Sequence, residues 1–407
     1  MSEWKEYTLG ELTTDGKGTY GIAASAVDYC AELPTYLRIT DINDDGTIDF
    51  NGLKSVDDPN SSKYVLQEND IVFARTGAST GRSYFYDRRD GKFVYAGFLI
   101  KFSLDPKKVN PRILKYYTHS KVYYNWVHSF ENGATRGNIN AKTFADMKLL
   151  LPPRNVQDSI ASILSSFDDK IAINRRICEN LEAQAQALFK HWFIDFAPFK
   201  EGKFVDSELG MIPEGWRVGK LEEICVFQNG HAFKSKEFSD SGKYKLITIK
   251  GVQDGRLSID GAVNIENVPS NMKNHCFLKE KDILLSLTGN VGRVCFVDQP
   301  NLLLNQRVAK IVPISEEYWG FLYTFMRRKT TQNEMINLAK GTAQANLSPI
   351  ETAQFKIALP AQEVVSDFSK VVNIMYQKMI LLKQESSRLS SLRDTLLPKL
   401  MSGEIKV

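Results

Sequence analysis

Nowhere in its 407 residues does the chain contain the roughly 20 consecutive apolar residues that a membrane-crossing helix needs. Its opening, MSEWKEYTLG, has neither the basic nor the apolar region of a secretory signal. A cytoplasmic chain that touches no membrane is therefore expected. Cysteine is scarce: Cys30, Cys178, Cys225, Cys276 and Cys295 are scattered, odd in number and without CxxC spacing, which argues against a disulfide framework or a structural zinc. The five histidines (His119, His128, His191, His231, His275) show no metal-ligand spacing. Pro152-Pro153 is followed by Arg154, not by the aromatic residue that would complete an adenine-methyltransferase Asn/Asp-Pro-Pro cluster, and neither GxxxxGK[ST] nor HExxH occurs. No catalytic residue, resident metal or cofactor is assigned. An excess of one charge is lacking too: 52 Lys and Arg against 48 Asp and Glu leave a net charge of +4. Bulk electrostatics does not by itself announce a nucleic-acid binder, and a reader of DNA with this balance would have to place its cations locally.

What the chain does have is a second copy of itself. WKEYTLGEL (4–12) returns as WRVGKLEEI (216–224), and YLRITDINDDGTI (36–48) as YKLITIKGVQDGRL (244–257). ENDIVFARTGASTGRS (68–83) returns as EKDILLSLTGNVGRV (280–294), GATRGNIN (133–140) as GTAQANLS (341–348), and LLLPPRNVQ (149–157) as KIALPAQEV (356–364). The order is the same in both halves, and the period is far too long for a solenoid. One large unit is used twice, and the length alone favours more than one domain.

Each unit has two parts. The first is rich in glycine, aromatics and short β-branched runs; DIVFA (70–74), FLIKFSL (98–104), KLITI (245–249), DILLSL (282–287) and VAKIVPI (308–314) read as strands, with helix-like stretches at 111–126 and 317–338. The second part is a long helix. Leu164, Phe167, Ile171, Asn174, Cys178, Leu181, Ala185, Leu188 and Trp192 step by threes and fours, a coiled-coil seam over four heptads. The second copy gives Val372, Met375, Met379, Leu382, Ser386, Leu389, Arg393, Leu396 and Leu400. A helix over about 156–193 would span roughly 55 Å, longer than a small globule needs, and reads as a strut. Asn174, Ser386 and Arg393 fall in the seam, where polar residues fix register, and Pro398 is expected to kink or end the second helix early. The organisation expected is a globular domain over 1–154, a helix over 155–196, a linker over 197–215, a second domain over 216–362, and a second helix with the tail over 363–407.

Two motifs resemble sites and are set aside. Asp41, Asn43, Asp45, Gly46 and Asp49 match the first nine positions of an EF-hand loop, but position twelve is Gly52, where a bidentate Glu is required, and strand-like residues precede it. A β-turn built on Asp-Gly chemistry is the reading that fits. Glu404-Ile405-Lys406 has a nuclease-like ExK spelling at the tail, with no partner Asp in a strand context.

The loops after the repeated strands hold the groups that contact phosphates and base edges. Arg75, Thr76, Ser79, Thr80 and Arg82 surround the glycines of one loop; Thr288, Asn290 and Arg293 occupy its copy. Glycine permits close backbone approach, and hydroxyls and guanidinium groups donate to phosphate or base. Arg136 and Asn138 recur as Gln344 and Asn346, and Gln306-Arg307 precede a strand. Arg can read guanine, and Asn or Gln can read adenine. Tyr20, Arg38, Lys234 and Lys250 complete the set of candidate DNA contacts.

Two similar globules, each followed by a long helix, resemble the specificity subunits of type I restriction–modification enzymes. The similarity runs over nearly the whole chain and is most specific in LPPRNVQDSIASILSSFDDKIAINRRICENLEAQAQALFKHWFIDF (151–196), in the TGASTGR loop, in LLNQRVAKIVP (303–313) and in LRDTLLPKLMSGEI (392–405). The resemblance implies an α+β chain with two similar α/β target recognition domains joined by two long helices packed as an antiparallel coiled coil. It implies that each domain reads one half of a bipartite, asymmetric site in double-stranded DNA, and that the helices act as a ruler. Half-sites about one turn apart lie roughly 34–36 Å centre to centre. Two modification (methyltransferase) subunits and two restriction (motor-nuclease) subunits would be the partners, holding S-adenosylmethionine, ATP and magnesium, so that this chain binds no cofactor and catalyses nothing. Its mild charge implies weak DNA binding by the chain alone. The rival readings are a stand-alone DNA-binding regulator, a nuclease with a coiled-coil arm and a pure coiled-coil scaffold. The first wants a more basic surface, the second a carboxylate cluster, and the third leaves the repeated polar loops without a purpose.

Overall fold

An apolar run bounded by turn residues can be buried on both faces and so makes a central strand. In a computed structural model, which describes residues 4–50, 52–130, 137–339 and 346–407, DIVFA behaves in this way. The strand Asp70–Ala74 is buried at every position. It lies between Leu99–Ser103 and Ser83–Phe85 in an antiparallel sheet that Thr19–Tyr20 extends beyond Leu99–Ser103. A second sheet orders Ala26–Val27, Lys54–Val56, Thr35–Leu37 and Phe93–Tyr95, the last pair parallel. Lys5–Thr8 pairs antiparallel with Lys148–Leu151 and brings the start of the domain to its end.

The chain divides into two units, residues 1–171 with 388–407, and residues 172–387. The second repeats the antiparallel sheet of the first and three strands of its mixed sheet, the fourth strand joining at the opposite edge. Cys225–Asn229, Val308–Pro313, Ile283–Ser286 and Val294–Phe296 form the antiparallel sheet, and Asn264–Ile265, Tyr244–Ile247, Leu302–Leu304 and Phe277–Leu278 the mixed one, with Tyr244–Ile247 parallel to Leu302–Leu304. Registers match position by position. Ala74 faces Leu99 and Tyr20 faces Ile100 in the first unit; Ser286 faces Val308 and Asn229 faces Ala309 in the second.

Each helix-like stretch of the sequence is two helices. Pro111–Tyr117 and Lys121–His128 are separated because Ser120 accepts a hydrogen bond from the Tyr123 amide at 3.2 Å and so caps a new helix. Trp319–Arg327 and Lys329–Ala339 are separated by Arg328, whose ψ of 135° is extended.

The long helices are Arg154–Phe193 and Gln362–Met401, 40 residues each. Within the first unit Ile160 and Leu164 share a core with Leu397 and Leu400, and Asp168 meets Arg393, an antiparallel register. Within the second unit Asn174 reaches Glu385 at 2.8 Å and Ser386 at 3.3 Å, and Cys178 lies against the Met379 carbonyl, again antiparallel. All three polar seam residues thus engage the facing helix. The seam drifts towards the end of the first helix, where Phe189 and Phe193, not Leu188 and Trp192, are buried, packing on Phe321 and Phe368. A straight helix drifts by about 20° per heptad, and burying two such rings stabilises the packing by ~2–3 kcal/mol each. The expectation that Pro398 would end the second helix early is corrected: the helix runs through it to Met401. Proline so near a helix end removes one amide from the ladder, and the Ser402 amide still donates to the Pro398 carbonyl at 3.0 Å. No helix among the described residues is long and apolar enough to cross a membrane.

Candidate nucleic-acid interface

In the first unit the loop after Asp70–Ala74 turns back through two glycines. Gly77 has φ +79° and Gly81 φ +84°, values that suit glycine alone. A Cβ on Gly81 would stand 2.5 Å from Val127. The Gly81 amide donates to the Ala74 carbonyl at 2.8 Å, and the Thr80 hydroxyl lies 2.7 Å from the Gly77 carbonyl and 3.0 Å from that of Gly137. These bonds tie the loop to the segment 137–141, where Thr76 bridges Asn138 and the Ile139 amide donates to the Arg75 carbonyl at 2.9 Å. The Ala141 amide donates to the Tyr20 hydroxyl at 3.1 Å, and the Arg75 amide to the Phe98 carbonyl at 3.1 Å.

Four chain segments therefore converge on one rim. The Arg75 guanidinium lies over the Tyr20 ring at 5.2 Å and over the Phe98 ring at 5.9 Å. Both rings are open to solvent, Tyr20 at 42% and Phe98 at 56% exposure, and Asn138 is exposed beside them. The Arg75 Nε is buried without a hydrogen-bond partner among the described residues. Lying over two rings and without a carboxylate partner among the described residues, this guanidinium is pre-organised for a bidentate acceptor.

The second unit builds the same rim with other residues. The Leu287 amide donates to the Arg307 carbonyl at 3.1 Å, Thr288 bridges Asn346, and the Leu347 amide donates to the Leu287 carbonyl at 2.7 Å. Leu287 stands where Arg75 stands, Arg307 where Phe98 stands, and Asn229 where Tyr20 stands. Gln306, Arg307, Asn290 and Asn346 are exposed.

Other candidates lie elsewhere or are engaged internally. Arg38 is held by Asp41 at 2.6 Å and by the Gly52 carbonyl at 3.1 Å. Arg82 is held by Asp44 at 2.6 Å and by the Ile42 carbonyl at 3.0 Å. Arg293 donates to Gln253. Ser79 is 7% exposed. Lys234 and Lys250 are exposed; Lys250 follows Ile249, which a Cβ on Gly289 would meet at 3.2 Å, so it neighbours the 288–290 turn. Arg136 and Gln344 lie outside the described residues.

Two spellings resolve into structural roles. The Asp41–Asp49 segment is a turn: Ile42 bridges Ile48, the Asn43 amide donates to the Thr47 carbonyl at 2.9 Å, and Gly46 has φ +73°. Gly77-Ala78-Ser79-Thr80-Gly81 fits GxSxG, a match that reading the sequence for catalytic motifs missed. The strand before it leads into a single 3₁₀ turn and then another strand, without the helix that a nucleophile elbow requires, and Ser79 is buried.

Phe98, Asn229 and Leu287 are the rim residues that sequence reasoning missed. A signal existed: setting YAGFLIKF over LNQRVAKI places Phe98 on Arg307, a residue already suspected.

Comparison with known proteins agrees with this layout. The family described as "Type I restriction modification DNA specificity domain" matches residues 1–183 and 213–386. The HindI type I restriction enzyme specificity subunit of Haemophilus influenzae is similar at 24% identity over 473 aligned residues, covering all of both chains. The MjaIX specificity subunit of Methanocaldococcus jannaschii is 28% identical over 300 residues, 72% of this chain and 69% of that one. Among solved structures, the type I restriction–modification S subunit of M. genitalium shares the fold with a TM-score of 0.53 at 19% identity, covering 98% of this chain and 96% of its own.

Proposed function

Because the chain belongs to the type I restriction–modification DNA specificity family, we propose that it is the non-catalytic, sequence-reading subunit of such an enzyme, and that each unit reads one half of a bipartite, asymmetric site in double-stranded DNA. The observation that carries this reading is one rim built twice on the same registers with different side chains: Tyr20, Arg75 and Phe98 in the first unit, Asn229, Leu287 and Arg307 in the second. A repeated framework with altered contact groups reads two different sequences. Thr76, Asn138, Thr288, Asn290, Gln306, Asn346 and Lys250 flank the two rims as further contacts. Ser79, Thr80, Arg38, Arg82 and Arg293 hold the loops in shape, so that any DNA contact they make is secondary. Lys234, Arg136 and Gln344 complete the surface carried over from the sequence.

The same reading places two methyltransferase subunits and two motor-nuclease subunits in the complex, with S-adenosylmethionine, ATP and magnesium bound by those partners, in the cytoplasm. Support for a partner on the helices comes from apolar residues left in solvent: Ile173 and Ile177 on the first, and Val371, Ile374 and Leu381 on the second, each set spaced along one helix face.

The test is methylation mapping. The chain is expressed with its neighbouring methyltransferase in a methylation-free host, and genomic methyladenine is read by sequencing. A split, asymmetric motif that vanishes without this chain is expected, and exchanging residues 1–150 changes one half of it. A soluble complex that methylates nothing, or a continuous motif, contradicts the proposal.

A further inference from the structure

We infer that one arginine in each unit, Arg75 in the first and Arg307 in the second, reads a guanine of the half-site, and that the fold presents the two from different strand ends of one shared framework. This deepens the proposed function and rests on it.

The first unit offers few candidates. Of the arginines around its rim, Arg38 and Arg82 are bound to Asp41 and Asp44, whereas Arg75 has no carboxylate partner among the described residues. Its guanidinium is instead laid over two exposed aromatic rings. The two rings restrict the guanidinium while leaving N–H groups for an acceptor, and the O6 and N7 of guanine in the major groove match its fork.

The second unit carries Leu287 at the position of Arg75, so the same reader cannot be reused. The register supplies another. Arg307 precedes Val308 as Phe98 precedes Leu99, its carbonyl accepts from Leu287 as that of Phe98 accepts from Arg75, and its side chain is exposed. Among the described residues its guanidinium has no carboxylate partner, whereas the nearby Arg293 is bonded to Gln253. The charge has moved from one strand end to its neighbour, and among the described residues no aromatic ring underlies it.

The test uses the full chain with its methyltransferase, read by the same sequencing of genomic methyladenine. Arg75→Ala and Arg75→Lys are each expected to relax one guanine in one half of the motif, lowering discrimination at that base pair by about 5- to 150-fold. Arg307→Ala and Arg307→Lys do the same in the other half. The half that stays unchanged reports that the chain is folded and assembled. If Arg75→Ala abolishes methylation, Arg75→Gln, which keeps the stem, is judged by the same criterion. A motif half without guanine on either strand overturns the inference. So does a wild-type motif that the variants leave intact, or a Lys variant that retains full discrimination while Ala lowers methylation at every site, the mark of a phosphate contact. A wild-type chain that confers no motif overturns the functional reading, and the inference with it.

Discussion

Asp168 on the first long helix accepts a hydrogen bond from Arg393 on the second at 2.8 Å, while Lys115 and the Tyr116 hydroxyl of the globular domain approach its other oxygen at 2.6 and 2.9 Å. One carboxylate thereby joins three elements of the first unit. Burial by itself would raise its pKa, but the charges of Lys115 and Arg393 overcome that and hold it below the usual carboxylate range. Asp168→Ala leaves two cations facing each other in a largely buried site and is expected to cost about 3 kcal/mol, measured by urea unfolding. Because the folded pKa is depressed, the contribution of Asp168 is complete above the unfolded value of about 4 and is lost as the pH falls through the folded one.

His119 sets a second acid limit. Burial pushes its imidazole down to about 4, well below its ordinary 6.5. The unfolded chain then takes up a proton that the native chain refuses, so stability rises with pH between about 4 and 6.5, by ~3 kcal/mol at most across that window. An NMR titration should place the His119 transition near 4, and His119→Gln should flatten the stability profile between pH 4.5 and 6.5. A transition near 6.5 contradicts this.

Gly81 and Gly91 both hold positive φ, +84° and +104°. Among the described residues a methyl on Gly81 would strike Val127 at 2.5 Å, whereas one on Gly91 would meet nothing within 4 Å. Gly91→Ala is expected to cost about 2 kcal/mol, from backbone strain alone, and Gly81→Ala ~4 kcal/mol, from strain plus overpacking. Equal melting temperatures for the two variants would contradict this.

Arg327 is the corresponding pin of the second unit. Its guanidinium lies 3.2 Å from Glu182 on the first long helix and bonds Asp254 as well. The other Glu182 oxygen, Oε2, is buried without a hydrogen-bond partner among the described residues. Arg327→Met strands that carboxylate and is expected to cost about 3 kcal/mol, with hydrogen exchange rising in the second unit and unchanged in the first.

Much of this organisation is legible in the sequence, for identifiable reasons. DIVFA reads as a strand because burial on both faces demands a near-continuous apolar run, and VAKIVPI because its β-branched residues suit a pleated surface; they form Asp70–Ala74 and Val308–Pro313. The long helices are legible because a seam of three- and four-residue steps has no other use. Tertiary contacts decide the rest. Phe189 and Phe193 replace Leu188 and Trp192 because the helix packs there on Phe321 and Phe368. Arg75 and Arg82 look alike in RTGASTGR; only the fold brings Asp44, 38 residues away, to one and not the other. Phe98 reads as the start of a buried strand until the register puts it beside Arg75 at the solvent edge.

The first unit is discontinuous: it needs residues 388–407 as well as 1–171, with Leu397 and Leu400 in its core and a Cβ on Gly403 falling 3.4 Å from the Trp4 ring. The second, residues 172–387, is a single stretch. Synthesis therefore inverts the order of the chain. The half translated later is complete in sequence once residue 387 is added, whereas the half translated earlier keeps an unfinished apolar core until its closing helical turns, residues 388–407, follow.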